Sequence, residues 1–490
     1  MYEHDSKRKL RLRLTFTYAV MILTTLGLVV VALFIALGYR YNQFDGRFEQ
    51  GGMIQFNSRP SGAEIQLDAV KLSNRTATRI TATAGNHAVM VSRDGYKPWQ
   101  KQATVKPGAV LWLNYVRLVP TDPKIETAAT YGSIASVMAS FDRSRFAVIE
   151  NDTQPTVTFS RVHDANVEHS SVTVPDDKIT TPSAAGSSRF SLAGWDYANK
   201  RVLVLHTYDD SKTEYLLVSK DSGDPARNIS TEFGISIAEL QYDPTDSNIA
   251  YVLTTNHDIR RLKLSTSTLS GPLVTNASSL VVAYNGWIGY ATHPDVSGVR
   301  TVGYVSKDKL TAKTVQTFTN MSGRSLSYTI ASYYNELYQL VVAGDSATVY
   351  HAELPGSDST DVIKSKTIAK LSLAKDVAFA GFSPREQRFV YIQNGRDIVT
   401  YDLELSSIAT VAPSAALNAK IGWLDDFHLL STADGTIEFM DYDGTNMQTL
   451  ARGASHAATL LAGNDKFFYY FTRDEAAGTV RLMRLSLTTE

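Results

Sequence analysis

Residues 380–392 read AGFSPREQRFVYI: an aromatic residue behind glycine, a polar turn with proline and charge, then an apolar run suited to a strand. The same order of residue types returns along the chain. It appears as ASFDRSRFAVIE from Ala139, AGWDYANKRVLVL from Ala193, LQYDPTDSNIAYVL from Leu240 and YNGWIGYAT from Tyr284. ASYYNELYQLVV from Ala331, IGWLDDFHLLS from Ile421 and LAGNDKFFYYF from Leu461 complete the series. The anchors Phe141, Trp195, Tyr242, Trp287, Tyr334, Phe382 and Trp423, with Asn464 in the last unit, stand 41–54 residues apart. Glycine precedes the aromatic at Gly194, Gly286, Gly381 and Gly422.

A period near 40–50 residues with several short strands per unit is the signature of a β-propeller, whose blades are four-stranded sheets. Further strands are available in each unit, as in GRDIVTYDLELSSIATV after Asn394 and GTIEFMDYDGTNMQTL after Asp434. A parallel β-helix needs shorter periods, and a helical solenoid needs runs of period 3.6. The chain is therefore read as all-β apart from one N-terminal helix, with residues 121–490 forming a propeller of eight blades, or seven if a terminal unit is not a blade. Closure requires that a strand near 124–129 complete the sheet ending near 480–487. The stretches YDPTDSNIAYV, GFSPREQRFVYI and FMDYDGTNMQTL resemble the WD-repeat-like blades of TolB-type propellers. That resemblance implies an extracytoplasmic protein-binding propeller and carries over no catalytic residue.

Working toward the N-terminus, VPTDP at 119–123 places two prolines in a stiff connector. Before it, residues 52–120 show short alternating runs broken by turn residues, the pattern of a small antiparallel β domain. The runs are MIQFNS, AEIQLD, NHAVMVS and AVLWLNYVRL. In AEIQLD, Ile65 and Leu67 face a core while Glu64, Gln66 and Asp68 face water. The blocks SRPSGA at 58–63, IQLD at 65–68, GNH at 85–87, DGYKPW at 94–99 and RLVP at 117–120 closely resemble the PEGA domain. Ala69 stands where glycine often follows the aspartate, and Thr76-Ala77 replaces the usual Thr-Pro. The resemblance implies a non-catalytic spacer or adhesion module. His87 has no second ligand at metal spacing and is read as a turn or core residue. Trp99 and Trp112 are read as core.

Residues 15–37, TFTYAVMILTTLGLVVVALFIAL, run 23 residues without a charge. At 1.5 Å per residue that length crosses a hydrocarbon core roughly 30 Å thick. Each large apolar residue favours insertion by roughly 0.3–0.6 kcal/mol and no ionisable group opposes it. Residues 14–38 are thus read as a transmembrane helix in contact with the lipid bilayer. Lys7, Arg8, Lys9, Arg11 and Arg13 precede it, whereas Arg40 and Arg47 on the other flank are countered by Asp45 and Glu49. The positive-inside rule leaves a basic tail, 1–13, in the cytoplasm and everything after a juxtamembrane linker, 39–51, outside. A cleaved signal peptide is disfavoured by the long apolar core and the lack of an A-x-A site.

Zero cysteines in 490 residues exclude disulfides, thiolate metal sites and cysteine nucleophiles. A formal net charge of −1 gives no field to hold nucleic acid. No catalytic, metal or cofactor residue is assigned. There is no Gly-x-Ser-x-Gly elbow and no His-Glu-x-x-His pair. SKDSG at 219–223 begins like a sialidase Asp-box but continues with Pro225 and Ala226, and is read as a turn. DYDGTN at 441–446 spaces carboxylates as a calcium loop does, yet Thr445, Asn446 and Arg452 replace the ligands of an EF-hand. Asp425-Asp426 and Asp209-Asp210 are read as solvated loop pairs, and Trp195, Trp287 and Trp423 as wedges between blades. The chain reads as a membrane-anchored extracytoplasmic binding or scaffold protein with a protein partner or cell-wall component at the propeller face. An envelope glycan binder, a glycosidase or lyase using loop carboxylates, and a purely architectural spacer remain as alternatives.

Overall fold

The structure, a computed structural model, describes residues 3–36, 39–42, 47–163, 166–183, 186–209, 211–221, 223–307, 309–319, 321, 323–354, 363–373, 377, 379–394, 397–411, 420–456 and 458–489. The end of the expected membrane segment (37–38), part of the linker (43–46), Asp210 and Ser222 lie outside them. Two compact units result, Met1–Asp122 and Pro123–Glu490.

The first unit begins with one helix, Glu3–Ala36. Its segment Arg13–Phe34 is long and apolar enough to cross a membrane, and its large apolar side chains are exposed. Thr17, Thr24 and Thr25 return their hydroxyls to the carbonyls one turn back, which keeps them compatible with an apolar surrounding. Strand Tyr39–Asn42 pairs antiparallel with the start of the long strand Arg47–Arg59, so the stretch read as a linker carries a hairpin.

Arg47–Arg59 organises the small domain. It pairs antiparallel with Thr78–Thr83 and parallel with Val110–Arg117. The parallel pair departs from the expected antiparallel domain. A parallel partner needs a long crossover, and residues 60–109 supply it by folding Glu64–Leu67, Val70–Arg75, Gly85–Ser92 and Trp99–Val105 into a second sheet. Ile54, Phe56, Ile65, Val91 and Trp99 are fully buried between the two sheets. Trp112, expected in the core, is instead 39% exposed, because Val110–Arg117 turns Leu113 and Tyr115 inward and Trp112 to the opposite face. His87 is a buried residue of the strand Gly85–Ser92: its Nδ1 lies 2.5 Å from Asp68 Oδ2 and its Nε2 2.8 Å from the Thr83 carbonyl. Burial opposes the charged imidazole, but these two partners outweigh it and raise its pKa.

In the second unit the described residues form eight four-stranded antiparallel sheets, spanning 136–173, 189–228, 237–269, 277–318, 326–372, 379–411, 420–451 and 460–486. Within each, neighbours in sequence are neighbours in space. First strands pack on one another between the first and second, third and fourth, fourth and fifth, and fifth and sixth sheets, which puts them on the inside of the ring. The eighth sheet has only three strands of its own, Leu460–Leu461, Phe467–Asp474 and Thr479–Ser486. Its fourth is Ile125–Tyr131, which pairs antiparallel with Thr479–Ser486 so that Leu482 faces Ala129 and Arg484 faces Glu126. The ends of the ring meet in one ladder, and this is the architecture of a β-propeller.

Apolar layers fill the spaces between sheets. Ala147, Phe159, Trp195 and Leu216 join the first to the second, and Phe146, Val148, Tyr469, Phe471 and Leu482 join the eighth to the first. Trp195 is buried there and sends its Nε1 to the Met138 carbonyl of the neighbouring sheet at 3.3 Å. Trp287 packs beside Tyr304 and Tyr328, and Trp423 beside Phe389 and Tyr391, so the tryptophans are wedges. The anchors are not all in one phase, however. Trp195, Tyr242, Phe382 and Trp423 end first strands, whereas Phe141, Trp287 and Tyr334 stand on or just past the turn after the strand.

Deleting residues 124–129 strips the eighth sheet of cross-strand pairs that contribute ~0.2–1 kcal/mol each, ~2–3 kcal/mol in sum. The melting midpoint of the detergent-solubilised chain, followed by circular dichroism, should fall by roughly 3–4 °C; an unchanged midpoint rejects the closure as a source of ring stability. In the first unit, Asp68 and Ala69 turn between Glu64–Leu67 and Val70–Arg75 with φ of 48° and 68°. Because a non-glycine residue there costs ~1 kcal/mol or more, Ala69→Gly should stabilise the Met1–Asp122 unit by about 1 kcal/mol in urea unfolding.

Candidate functional site: the turn end of the ring

Every sheet passes from first to second strand through a short turn, so eight turns gather at one end of the ring. Aspartate recurs there because its carboxylate accepts the amides that a tight turn leaves over. Asp196 Oδ1 takes the amides of Lys200 and Arg201 at 2.8 and 3.2 Å. Asp243 Oδ1 takes that of Thr245 at 2.7 Å, and Asp425 Oδ1 those of Phe427 and His428, both at 2.9 Å. Burial pushes the Asp196 carboxyl up.

Other side chains lace one turn to the next. Asp426 Oδ1 accepts the amides of Arg385 and Glu386 in the preceding sheet at 2.6 and 3.0 Å. Asn199 Oδ1 accepts the Asp142 amide at 3.1 Å, and Gln387 Oε1 the Ser332 amide at 3.0 Å. Arg143 meets Asp465 at 3.4 Å between the first and eighth sheets. Arg385 reaches farther: its Nη2 donates to the Phe141 carbonyl at 2.9 Å, linking the sixth sheet to the first although the two are not consecutive.

Against this polar frame lies an aromatic cluster. Phe141 and Tyr197 stack with centroids 4.4 Å apart and planes 4° from parallel. Tyr284, from the fourth sheet, meets Tyr197 edge to face at 6.3 Å. Phe141 remains 46% exposed and Tyr284 47%. Burial, with Tyr284 and Asp243 nearby, raises the Tyr197 phenol. Tyr334, 76% exposed, stands on the fifth turn beside Tyr333, whose hydroxyl donates to Glu404 at 3.0 Å. Partial burial, then the carboxylates of Asp426, Asp425 and Glu404, push the Glu386 carboxyl up, with Arg388 opposing. The arrangement offers flat apolar faces rimmed by ions of both signs, a surface for recognition.

The residues weighed from sequence fall elsewhere or take structural parts. Asp425 and Asp426 are not merely solvated, since both cap backbone amides. Asp209 accepts the Ser183 amide and hydroxyl at 2.7 and 2.9 Å. The loop at 441–446 satisfies itself, Asn446 Nδ2 donating to Asp441 Oδ2 at 3.0 Å and Thr445 Oγ1 to Asp443 at 2.6 Å. Among the described residues no group of three or more His, Asp or Glu is placed to hold a metal ion. Sequence reasoning did not single out Tyr197, Tyr284, Arg385 and Glu386. Their shared place in the repeat, just after the first strand, was the available signal.

Residues 52–121 match the PEGA domain family. No curated protein matches the chain. Among solved structures, an oligogalacturonate lyase in complex with manganese is similar at 10% identity and a TM-score of 0.39, over 60% of this chain and 88% of its own. The β-propeller domain of Myceliophteria thermophila Cps50 (Swd1) is similar at 12% identity and a TM-score of 0.39, over 74% and 100%. A computationally designed protein, Ika8, is similar at 12% identity and a TM-score of 0.42, over 73% and 98%.

Glu386 gives the turn end a pH dependence of definite sign. A carboxyl whose pKa is raised on folding weakens the folded state above its folded pKa and costs nothing below its unfolded one, near 4.3. Glu386→Gln should therefore match the parent protein in urea unfolding at pH 4 and exceed it at pH 7; a loss of stability at pH 7 contradicts the assigned environment.

Proposed function

We propose that the chain is a single-pass membrane protein whose PEGA domain and β-propeller are displayed outside the cytoplasm as a scaffold, and that the turn end of the propeller binds a protein partner. The PEGA domain, the propeller fold and the apolar helix together fit a surface scaffold. The basic residues before the helix support a cytoplasmic N-terminus. The observation that carries the binding role is the exposed cluster of Phe141, Tyr197 and Tyr284 beside Arg385. Tyrosine, phenylalanine and arginine are enriched in the cores of protein interfaces, where a few such anchors supply most of the affinity. Loops on a rigid frame are the usual bearers of such contacts.

A photo-crosslinking amino acid at Ala198, exposed on the second turn, should capture one discrete partner when the full chain is expressed in its own cells. Truncating two anchors that contribute ~2 kcal/mol each should lower capture by well over tenfold in the Phe141→Ala, Tyr284→Ala double variant. Capture that persists in the double variant removes the turn end as the contact surface. Pelleting of the full chain with purified cell-wall material, lost in the same variant, would replace the protein partner by a glycan.

A further inference from the structure

The opposite end of the ring holds a constellation outside the contact surface and independent of it. His206, on strand Arg201–Tyr208, has no exposed surface. Its ring is stacked between Phe190, at 4.5 Å and 12°, and Tyr208, at 4.9 Å and 21°. The imidazole is thus fixed in position and plane. Glu214 faces it directly across the hairpin, and Glu214 Oε1 lies 2.8 Å from His206 Nδ1. On the other side of the ring, His206 Nε2 lies 2.9 Å from Ser188 Oγ.

The hydrogens can be assigned from the partners. Glu214 accepts the Thr180 amide at 2.9 Å, the Thr180 hydroxyl at 2.5 Å and Asn228 Nδ2 at 2.8 Å. Burial alone would raise its carboxyl, but these donors and His206 bring it down to about 2, so it is a carboxylate and only accepts. Nδ1 must then carry the hydrogen toward Glu214. Nε2 is left with its lone pair toward the Ser188 hydroxyl. Nucleophile, base and orienting carboxylate stand in the relation that acyl-transferring enzymes use.

We propose that Ser188, His206 and Glu214 form an acyl-transfer triad that hydrolyses small carboxylic esters, with Ser188 as nucleophile, His206 as general base and acid, and Glu214 as positioning residue. Ser188 Oγ adds to the ester carbonyl carbon while its proton passes to His206 Nε2. The carbon–oxygen bond to the alcohol then breaks as His206 returns that proton to the departing oxygen, leaving an acyl-serine. Water, deprotonated by His206, repeats the sequence and releases the acid and free Ser188. Arg189, next in sequence to the nucleophile, donates to the carbonyls of Gly186 and Ser188 at 2.9 and 2.8 Å and pairs with Asp152 at 3.4 Å, which fixes the backbone at Ser188. A cleft of about 390 Å³ borders the two residues that clamp Glu214, Thr180 and Asn228, and is lined also by Asp177, Lys178, Arg227 and Glu232; it does not reach Ser188 or His206.

The same hydrogen bonds could serve only to tie the connector before Ser188 to the second sheet, and the test separates the two roles. The full chain in detergent is treated with a fluorophosphonate probe, and labelled peptides are mapped by mass spectrometry; hydrolysis of p-nitrophenyl acetate is followed in parallel. Labelling at Ser188 is expected, with both label and hydrolysis lost by at least ~1,000-fold in Ser188→Ala at an unchanged melting midpoint. Glu214→Gln should slow labelling and change its pH profile, which a purely structural contact would not do. Folded parent protein that leaves Ser188 unlabelled overturns the proposal, and so does Ser188→Ala that hydrolyses the ester as fast as the parent.

Discussion

Pairing of Ile125–Tyr131 with Thr479–Ser486 is the contact on which the ring depends. The other seven sheets are built from consecutive strands and can form locally, but the eighth is assembled from residues about 350 positions apart in the chain. Loop-closure entropy rises only slowly with length, so this distant pairing becomes accessible once the intervening sheets are stacked. Its register also decides what meets between the eighth and first sheets. A slip of one residue would turn Leu482 and Tyr131 out of the layer they share with Phe146 and Phe471.

Without a single disulfide, the ring holds its turn end by hydrogen bonds from side chains to the backbone of the next sheet. Asp426, Asn199 and Gln387 each reach one sheet over, and Arg385 reaches farther. These contacts fix the frame on which Phe141, Tyr197 and Tyr284 sit, so the aromatic cluster is presented with little ordering left to do.

How far the chain could be read depended on how local each feature is. The repeat was legible because first strand, turn and second strand are contiguous, and the same residue types recur at each turn. The helix was legible because its 23 uncharged residues are contiguous. Phase was misread at Phe141, Trp287 and Tyr334 because an aromatic residue suits both an inward strand position and a turn that packs on its neighbour. The parallel pairing of Val110–Arg117 with Arg47–Arg59, and with it the outward face of Trp112, depends on a partner some 60 residues away that alternation alone does not name. His206 and Glu214 are eight residues apart, directly opposed across their hairpin. Folding the sequence about 209–211 would have found that pair. Ser188 lies on the preceding strand's approach and has no such rule.

The two ends of the ring use their carboxylates differently. At the turn end Asp196, Asp243, Asp425 and Asp426 are engaged by backbone amides that they hold in place. Carboxylate oxygens taken up by backbone amides serve the turn itself. What the turn end presents outward is aromatic surface. At the other end Glu214 is likewise held as an acceptor by Thr180 and Asn228, but one of its acceptor positions is given to an imidazole rather than to an amide. An imidazole can pass a proton on, and its far nitrogen reaches a serine hydroxyl. The same device, a carboxylate held by hydrogen-bond donors, therefore builds a rigid turn at one end and orients an imidazole at the other.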